Sequence, residues 1–359
     1  MLTQLERWPE SKQALRTATD HALGCQDAWT LFDIRTIEAF VYSRAEALDL
    51  SLAQRNLDDA SSLLLPTTGL SAANVRRAEL ARMSGLVAAA GPAPDHELAL
   101  AELHRARGML AQLEIQPVGM TVKLLHNIGS TSRAAGREDE AEAAYAEALE
   151  VLADTLGRQH PDTLRAQAGI EVNRGLIALK AEQYDLARAR LEFAAIHGSP
   201  PDAARAYSGW IQAEMQAKQI DAAASVARDF DRWLDGRRGE LPELVLAKSL
   251  TTLGQALMQA SVNDDDYAID DEQTFERGVV CVRTALELWP QNLPERTLAR
   301  YVLASSLYDG GRFDEASALV RTLLDDAELA EGLRNRVLSL QEIIEKNRER
   351  SPSDPNMDH

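Results

Sequence analysis

The sequence predicts an all-α fold in which pairs of helices repeat along the chain and each pair packs on the next. Composition is the first ground for this. Hydrophobic residues make up 45% and aromatics only 5%, so the β-branched and aromatic side chains that suit sheets are scarce beside Ala, Leu, Glu and Arg, which suit helices. Periodicity is the second. The stretch Leu124 to Leu164, LLHNIGSTSRAAGREDEAEAAYAEALEVLADTLGRQHPDTL, puts Leu125, Ile128 and Gly129 on one helix and breaks at Gly136. It then sets Ala141, Ala144, Tyr145, Ala148, Leu149 and Leu152 at i, i+3, i+4, i+7, i+8 and i+11, the apolar face of a second helix. Recurrence is the third, because the same arrangement returns at spacings of about 35 to 55 residues. Neither helix can bury its face alone, so the unit requires neighbours of its own kind.

Taken in order, residues 1–115 read as degenerate helical hairpins. A first segment, roughly Leu2 to Leu23, ends at Gly24, and a second from Asp27 to about Leu50 carries Trp29, Phe32, Ile37, Phe40 and Val41 on its apolar side. Leu57 to Pro66 reads as the back helix of a hairpin stopped by its proline. Val75 to Ala90 and His96 to Leu113 form a further pair around a GPAP break. Residues 116–328 read as five sharper pairs: 118–135 with 138–155, 161–181 with 184–197, 202–217 with 220–235, 242–261 with 274–288, and 295–309 with 313–326. Gly129, Ala141 and Ala148 stand where paired helices must approach closely. Gly175, Ala187 and Ala194 take those places in the second unit, and Gly254 and Gly278 keep small residues in the fourth. An acidic insertion at 262–273, VNDDDYAIDDEQ, reads as a solvated loop in the fourth unit. Residues 329–349 form a capping helix with Leu333, Val337, Leu340, Ile343 and Ile344 inside, and 350–359 read as a disordered tail.

These five units resemble tetratricopeptide repeats, which pair a small residue in the first helix with an alanine, an aromatic and another alanine in the second. The segment TLGRQHPDTL, Thr155 to Leu164, is similar to the linker between repeats of kinesin light chain, and that likeness covers about 118–195. The resemblance implies a right-handed α-α superhelix whose first helices line a concave face, with peptide capture as its function. Physics agrees with the linker, since Pro161 suits the first turn of a helix and Asp162 favours its positive end.

Bulk properties exclude several functions. A formal charge of -18 disfavours nucleic acid and anionic membranes as partners, because counterion release needs a basic surface. The start, MLTQLERWPESKQ, lacks the basic and apolar regions of a signal peptide, and no stretch approaches 18 uncharged apolar residues. Cys25 and Cys281 stand far apart and form neither a disulfide framework nor a metal pair. The expected setting is the cytoplasm, and the alanine and arginine usage is bacterial in style. HELAL at His96 begins like a zinc-protease helix, yet Leu100 occupies the place of the second histidine. His96 and His104 read as exposed histidines on a charged helix. No phosphate loop, GxSxG elbow or CxxC occurs, so neither catalysis, nor a metal, nor a cofactor is expected.

Counting helical faces from the small residues predicts the groove. Its side chains are Lys123, His126, Asn127, Ser130 and Arg133 in the first sharp unit, with Val172, Asn173, Leu176 and Lys180 in the second. Arg205, Ser208, Gln212 and Met215 follow in the third, Lys248, Thr251, Gln255 and Met258 in the fourth, and Tyr301, Ser305 and Tyr308 in the fifth. This set contains no acid, so a positive stripe in a negative body is expected to favour an acidic ligand. The resemblance to kinesin light chain implies that Asn127 and Asn173 hold an extended peptide by its backbone, because an amide both donates and accepts. The third, fourth and fifth units have Gly209, Thr252 and Val302 at that place, so the ladder has two rungs. The reading is a non-enzymatic scaffold or adaptor holding an extended, acidic protein or peptide segment. Two alternatives stand beside it. One is a regulator that binds a small peptide and releases a larger partner; the other is an accessory subunit that scaffolds an enzyme complex through its outer face.

Overall fold

The computed structural model describes residues 8–25, 27–43, 49–64, 71–91, 93–114, 116–263, 268–291, 293–326 and 329–350. Among them the chain forms sixteen α-helices and one two-stranded hairpin, and it divides into two units, 1–177 and 178–359.

The first unit holds α1 (Trp8–Cys25), α2 (Ala28–Tyr42), α3 (Leu50–Leu64), α4 (Ser71–Ala88), α5 (His96–Ala111), α6 (Val118–Ala134), α7 (Glu138–Leu156) and most of α8 (Pro161–Lys180). Neighbours in sequence pack as hairpins, α2 with α3, α4 with α5 and α6 with α7, while α2 touches α4 and α4 touches α6. The even-numbered helices therefore form an inner row and α3, α5 and α7 an outer one. Small residues set the approach within each hairpin. A methyl group on Gly129 would lie 2.4 Å from Tyr145 Cε1, and one on Gly85 would lie 2.9 Å from the Ala99 carbonyl oxygen. Tyr145, Ala141 and Ala148 are fully buried with Leu125 and Ile170. Ile37, expected inside α2, is exposed instead: its neighbours Phe32, Ala39 and Val41 already fill the buried face.

The second unit continues from the end of α8 through α9 (Tyr184–His197), α10 (Pro200–Gln216), α11 (Ile220–Leu234), α12 (Glu243–Gln259), α13 (Glu272–Leu288), α14 (Pro294–Asp309), α15 (Phe313–Leu324) and α16 (Glu331–Arg350). Here α10, α12 and α14 touch in succession. Gly254 and Gly278 meet face to face, so that a methyl on Gly254 would stand 2.5 Å from the Gly278 carbonyl oxygen. The acidic insertion is more ordered than a solvated loop. Val262–Asn263 (β1) pairs antiparallel with Ala268–Ile269 (β2), and Val262 and Ile269 pack against the core. The reason is that this segment carries two β-branched apolar residues opposite one another, which a hairpin buries and a coil would not. Residues 264–267 lie outside the described residues, as does the expected tail over 351–359. In α16, Val337, Leu340 and Ile344 are buried but Ile343 is exposed.

The turns inside the helix pairs show the repeat most plainly. Arg137 N–H donates to the Ser132 carbonyl, Gln183 to Ala178, Gln219 to Glu214 and Arg312 to Leu307, each at 2.8 Å. The residue before each donor has positive φ: Gly136 at 77°, Glu182 at 59°, Lys218 at 58° and Gly311 at 69°. This is one Schellman motif used four times, with a left-handed residue that closes the helix and redirects the chain.

Candidate functional site

In the first unit the predicted residues on α6 fall on one stripe of the inner row. Positions 123, 127, 130 and 134 follow one another at i+4, i+3 and i+4, with 126 and 133 alongside. Lys123 is exposed, and His126, Asn127, Ser130 and Arg133 are half-buried. Two of these side chains hold polar atoms removed from solvent without a hydrogen-bonding partner, Asn127 Nδ2 and Arg133 Nε. Both are donors, and both atoms lie out of reach of solvent. Ser130 Oγ donates to the Asn127 carbonyl at 3.1 Å and is spent locally.

Asn173 sits differently from Asn127. It is 5% exposed, and its Nδ2 donates to the Gly169 carbonyl at 3.2 Å and faces His126 Nε2 at 3.3 Å. An amide NH2 can only donate, so this bond leaves Nε2 as the unprotonated nitrogen of His126. Asn173 therefore orients the imidazole instead of offering a free amide, and the two asparagines are not equivalent rungs. Val172 is buried in the core. Two residues before Asn173, and on a different face of α8, stands a buried acid. Glu171 is buried and bonded to Arg174 at 2.9 Å, and Arg174 reaches on to Glu142 of α7.

At the end of this stripe lies a half-open pocket of about 260 Å³. Its walls come from the C-terminal ends of α2 (Phe40, Ser43), α4 (Leu86, Ala89, Ala90) and α6 (Ser130, Thr131, Ala134), closed by His96 at the start of α5. His96, expected to be exposed, is half-buried, and its Nδ1 is removed from solvent without a partner. His104, about two turns further along α5, bonds Glu140 of α7 at 2.8 Å. Burial pushes the Glu140 carboxyl up, but the hydrogen bond and charge of His104, with Arg137, outweigh it and hold the group below its ordinary value.

The second unit treats its predicted residues less uniformly. Lys180, Arg205 and Lys248 are exposed, while Gln212, Gln255 and Tyr301 are half-buried. Arg205 is drawn onto Asp202, one turn earlier, at 2.5 Å, so its charge is partly neutralised. Ser208 and Met258 are core residues: Ser208 Oγ donates to the Ala204 carbonyl and meets Ser249, and Met258 packs against Gly278. Tyr308 is corrected most clearly. It is 7% exposed, and Asn347 of the capping helix donates to its hydroxyl at 2.6 Å. Helix α16 covers the place where a further inner helix would stand, and Tyr308 is consumed in holding it.

Outer helices are tied by ion pairs one repeat apart. Arg107 of α5 meets Glu147 of α7 at 2.7 Å, Arg137 meets Glu97, Arg277 of α13 meets Asp231 of α11 at 2.6 Å, and Arg283 and Arg312 meet Glu315 and Glu276. Most of these side chains are well exposed, so each pair contributes at most about 1 kcal/mol. Their effect is to turn many of the outer charges onto one another. Among the described residues no group of three or more His, Cys, Asp or Glu is placed to hold a metal, and no helix is long and apolar enough to cross a membrane.

Residues 121–162 match the tetratricopeptide repeat family, a span that covers most of α6, all of α7 and the linker to α8. No curated protein matches the chain by sequence. Among solved structures the fold is similar to the crystal structure of the apo form of RapI, with a TM-score of 0.58 and 12% identity, over 88% of this chain and 85% of that one. Residues 121–162 thus form a tetratricopeptide repeat, and the chain as a whole shares the helical-repeat fold of that solved structure.

Proposed function

We propose that the chain is a non-enzymatic binding scaffold that holds an extended, acceptor-rich segment of a protein partner along the inner stripe of its first unit. The observation that carries this reading is the pair of unpartnered donors, Asn127 Nδ2 and Arg133 Nε. A buried donor left unsatisfied costs about 1–3 kcal/mol, and turning these half-exposed side chains outward onto a peptide carbonyl or carboxylate removes that cost. Lys123 and Arg133 add positive charge in a chain of net charge -18, which favours acidic over basic segments. The likeness of the linker at Thr155 to Leu164 to kinesin light chain supports the same reading. Asn127 contacts the ligand backbone, His126 is a second contact held in orientation by Asn173, and Lys123 and Arg133 supply charge. The free thiols Cys25 and Cys281 suit a reducing cytoplasm.

The test uses the full chain and a phage-displayed library of random octapeptides. Retention on the wild-type protein should be reduced at least about tenfold by Asn127→Ala with Arg133→Ala, the loss of two hydrogen bonds, one of them charged. It should be unchanged by Arg107→Ala with Glu147→Ala on the outer helices. Retention that survives the inner substitutions, or that the outer ones abolish, removes the inner stripe from the function.

A further inference from the structure

We infer that the solvent face of α9 docks an amphipathic helix of a protein partner, with a lysine or arginine of that helix seated in a recess at the start of α9. The inference stands independently of the inner stripe.

Helix α9 carries two apolar faces. Ala187, Leu191, Ala194 and Ala195 form the buried one. Leu186, Ala189, Phe193 and Ile196 follow at i, i+3, i+7 and i+10 on the other side. There Leu186 is 42% and Ile196 67% exposed, and Phe193 is half-buried with its ring 4.6 Å from that of His197. The next outer helix of the unit, α11, instead turns Asp221, Ser225, Arg228, Asp229 and Arg232 to solvent. An apolar row on a helix whose core face is already filled marks a surface for a partner. It spans about 15 Å at 1.5 Å per residue, and a ridge of this kind fits between the side-chain rows of an opposing helix of about three turns.

Charge chooses the sign of that helix. Leu186 also lines an open recess of about 750 Å³ between the start of α9, with Glu182, Asp185 and Arg188, and the α10–α11 turn, with Ala217 and Gln219. Arg188 gives Nε and Nη2 to the two oxygens of buried Glu214 at 2.6 and 2.9 Å, so its charge is answered inside the fold. It also donates to Asp185 at 3.0 Å, but the Asp185 side chain is 97% exposed and its carboxylate stays open to the recess. Glu182 is exposed as well. Of the nearby bases, Lys218 stands outside the lining and Arg190 is half-buried on α9. The recess is therefore complementary to a cation. Glu182 holds φ at 59°, a conformation costly to any residue but glycine, whereas Gly136 and Gly311 serve the same turn elsewhere. A glutamate there sets a carboxylate on the recess at the expense of the turn.

The test uses the full chain and a phage-displayed library on one fixed helix of about five turns, randomised over a single face. We expect wild-type protein to enrich helices with Leu, Ile, Met or Phe at helical spacing and Lys or Arg near one end. Leu186→Ser with Ile196→Ser, both at exposed positions, should lower retention at least about tenfold with an unchanged thermal transition. Glu182→Gly should raise the thermal midpoint by relieving the turn, yet weaken the Lys or Arg preference about two- to fivefold; loss of binding is thereby separated from damage to the fold. Absence of retained helices, retention that survives the double substitution, or retained helices without a basic preference overturns the proposal. A wild-type chain that sediments as a dimer, dissolved by Ile196→Ser, assigns the row to a second copy and overturns the partner helix.

Discussion

Replacing Gly254 by alanine tests how the helices of a pair are held. The added methyl would lie 2.5 Å from the Gly278 carbonyl oxygen and 2.6 Å from Val282 Cγ2, where carbon and oxygen ordinarily stand about 3.3–3.6 Å apart. The nearest obstacle is backbone, so no rotamer change relieves it, and α12 and α13 must separate by about 0.8 Å on that contact distance. Val279, Val282 and Leu253 are fully buried around the site and move apart with the helices. Overpacking of this kind costs about 1–3 kcal/mol, and a backbone obstacle belongs at the upper end. Alanine's helix preference over glycine returns about 1 kcal/mol. The net loss is about 2 kcal/mol, or a fall of roughly 4–8 °C in the midpoint for a unit of this size. Thermal unfolding followed by circular dichroism measures it, with Gly108→Ala as the control. Gly108 is exposed on α5 with nothing within 4 Å of an added methyl, so the control should gain about 0.5–1 kcal/mol. A Gly254→Ala protein as stable as the wild type would refute the close crossing.

Three further outcomes follow from the same geometry. Lys218 holds φ at 58° in its Schellman turn, a conformation that costs a side chain about 1–2 kcal/mol; Lys218→Gly should raise the midpoint by a few degrees, and Gly136→Ala, at φ 77°, should lower it. Under native conditions a thiol reagent should modify the exposed Cys25 quickly and spare Cys281, whose thiol is buried and pushed up to about 11 by that burial. Two thiols of equal reactivity would contradict the placement of Cys281 in the α12–α13 core. Asp27 and Asp271 cap α2 and α13, and hydrogen bonds from Thr30 and Thr274, first through the hydroxyl and then through the backbone, hold both carboxyls below their ordinary value. Their stabilisation is complete above roughly pH 4 and is lost as the pH falls through the lowered folded-state values. Asp27→Asn with Asp271→Asn should therefore flatten the midpoint's dependence on pH between roughly 4 and 2.

Much of the fold is local chemistry and so is legible in the chain. Ala141, Tyr145 and Ala148 follow the helical period, Gly129 marks a crossing, and Pro161 opens α8 where the linker places it. The candidate site is legible only as far as a face can be counted. Counting put Lys123, Asn127 and Arg133 on one stripe, but which polar atoms remain unsatisfied depends on partners elsewhere. Asn127 and Asn173 occupy the same place in successive repeats, yet only Asn173 meets an imidazole. Tyr308 has the period of a groove residue and is buried because Asn347, 39 positions later, returns over it. The half-open pocket is less legible still, since it gathers α2, α4, α5 and α6 and no single helix carries its pattern. His96 was visible as a residue without a role, and its place in the wall follows only from how the hairpins stack. Cross-repeat ion pairs such as Arg107 with Glu147 and Arg277 with Asp231 have the same origin, because each partner is chosen by the neighbouring repeat.

Hydrogen–deuterium exchange on the full chain, with and without the most strongly enriched octapeptide, tests the central claim most directly. The inner-stripe account predicts added protection in α6 and in 168–177 of α8, and no change along α5 and α7. Protection confined to the outer helices, or none in α6 despite binding, would contradict it.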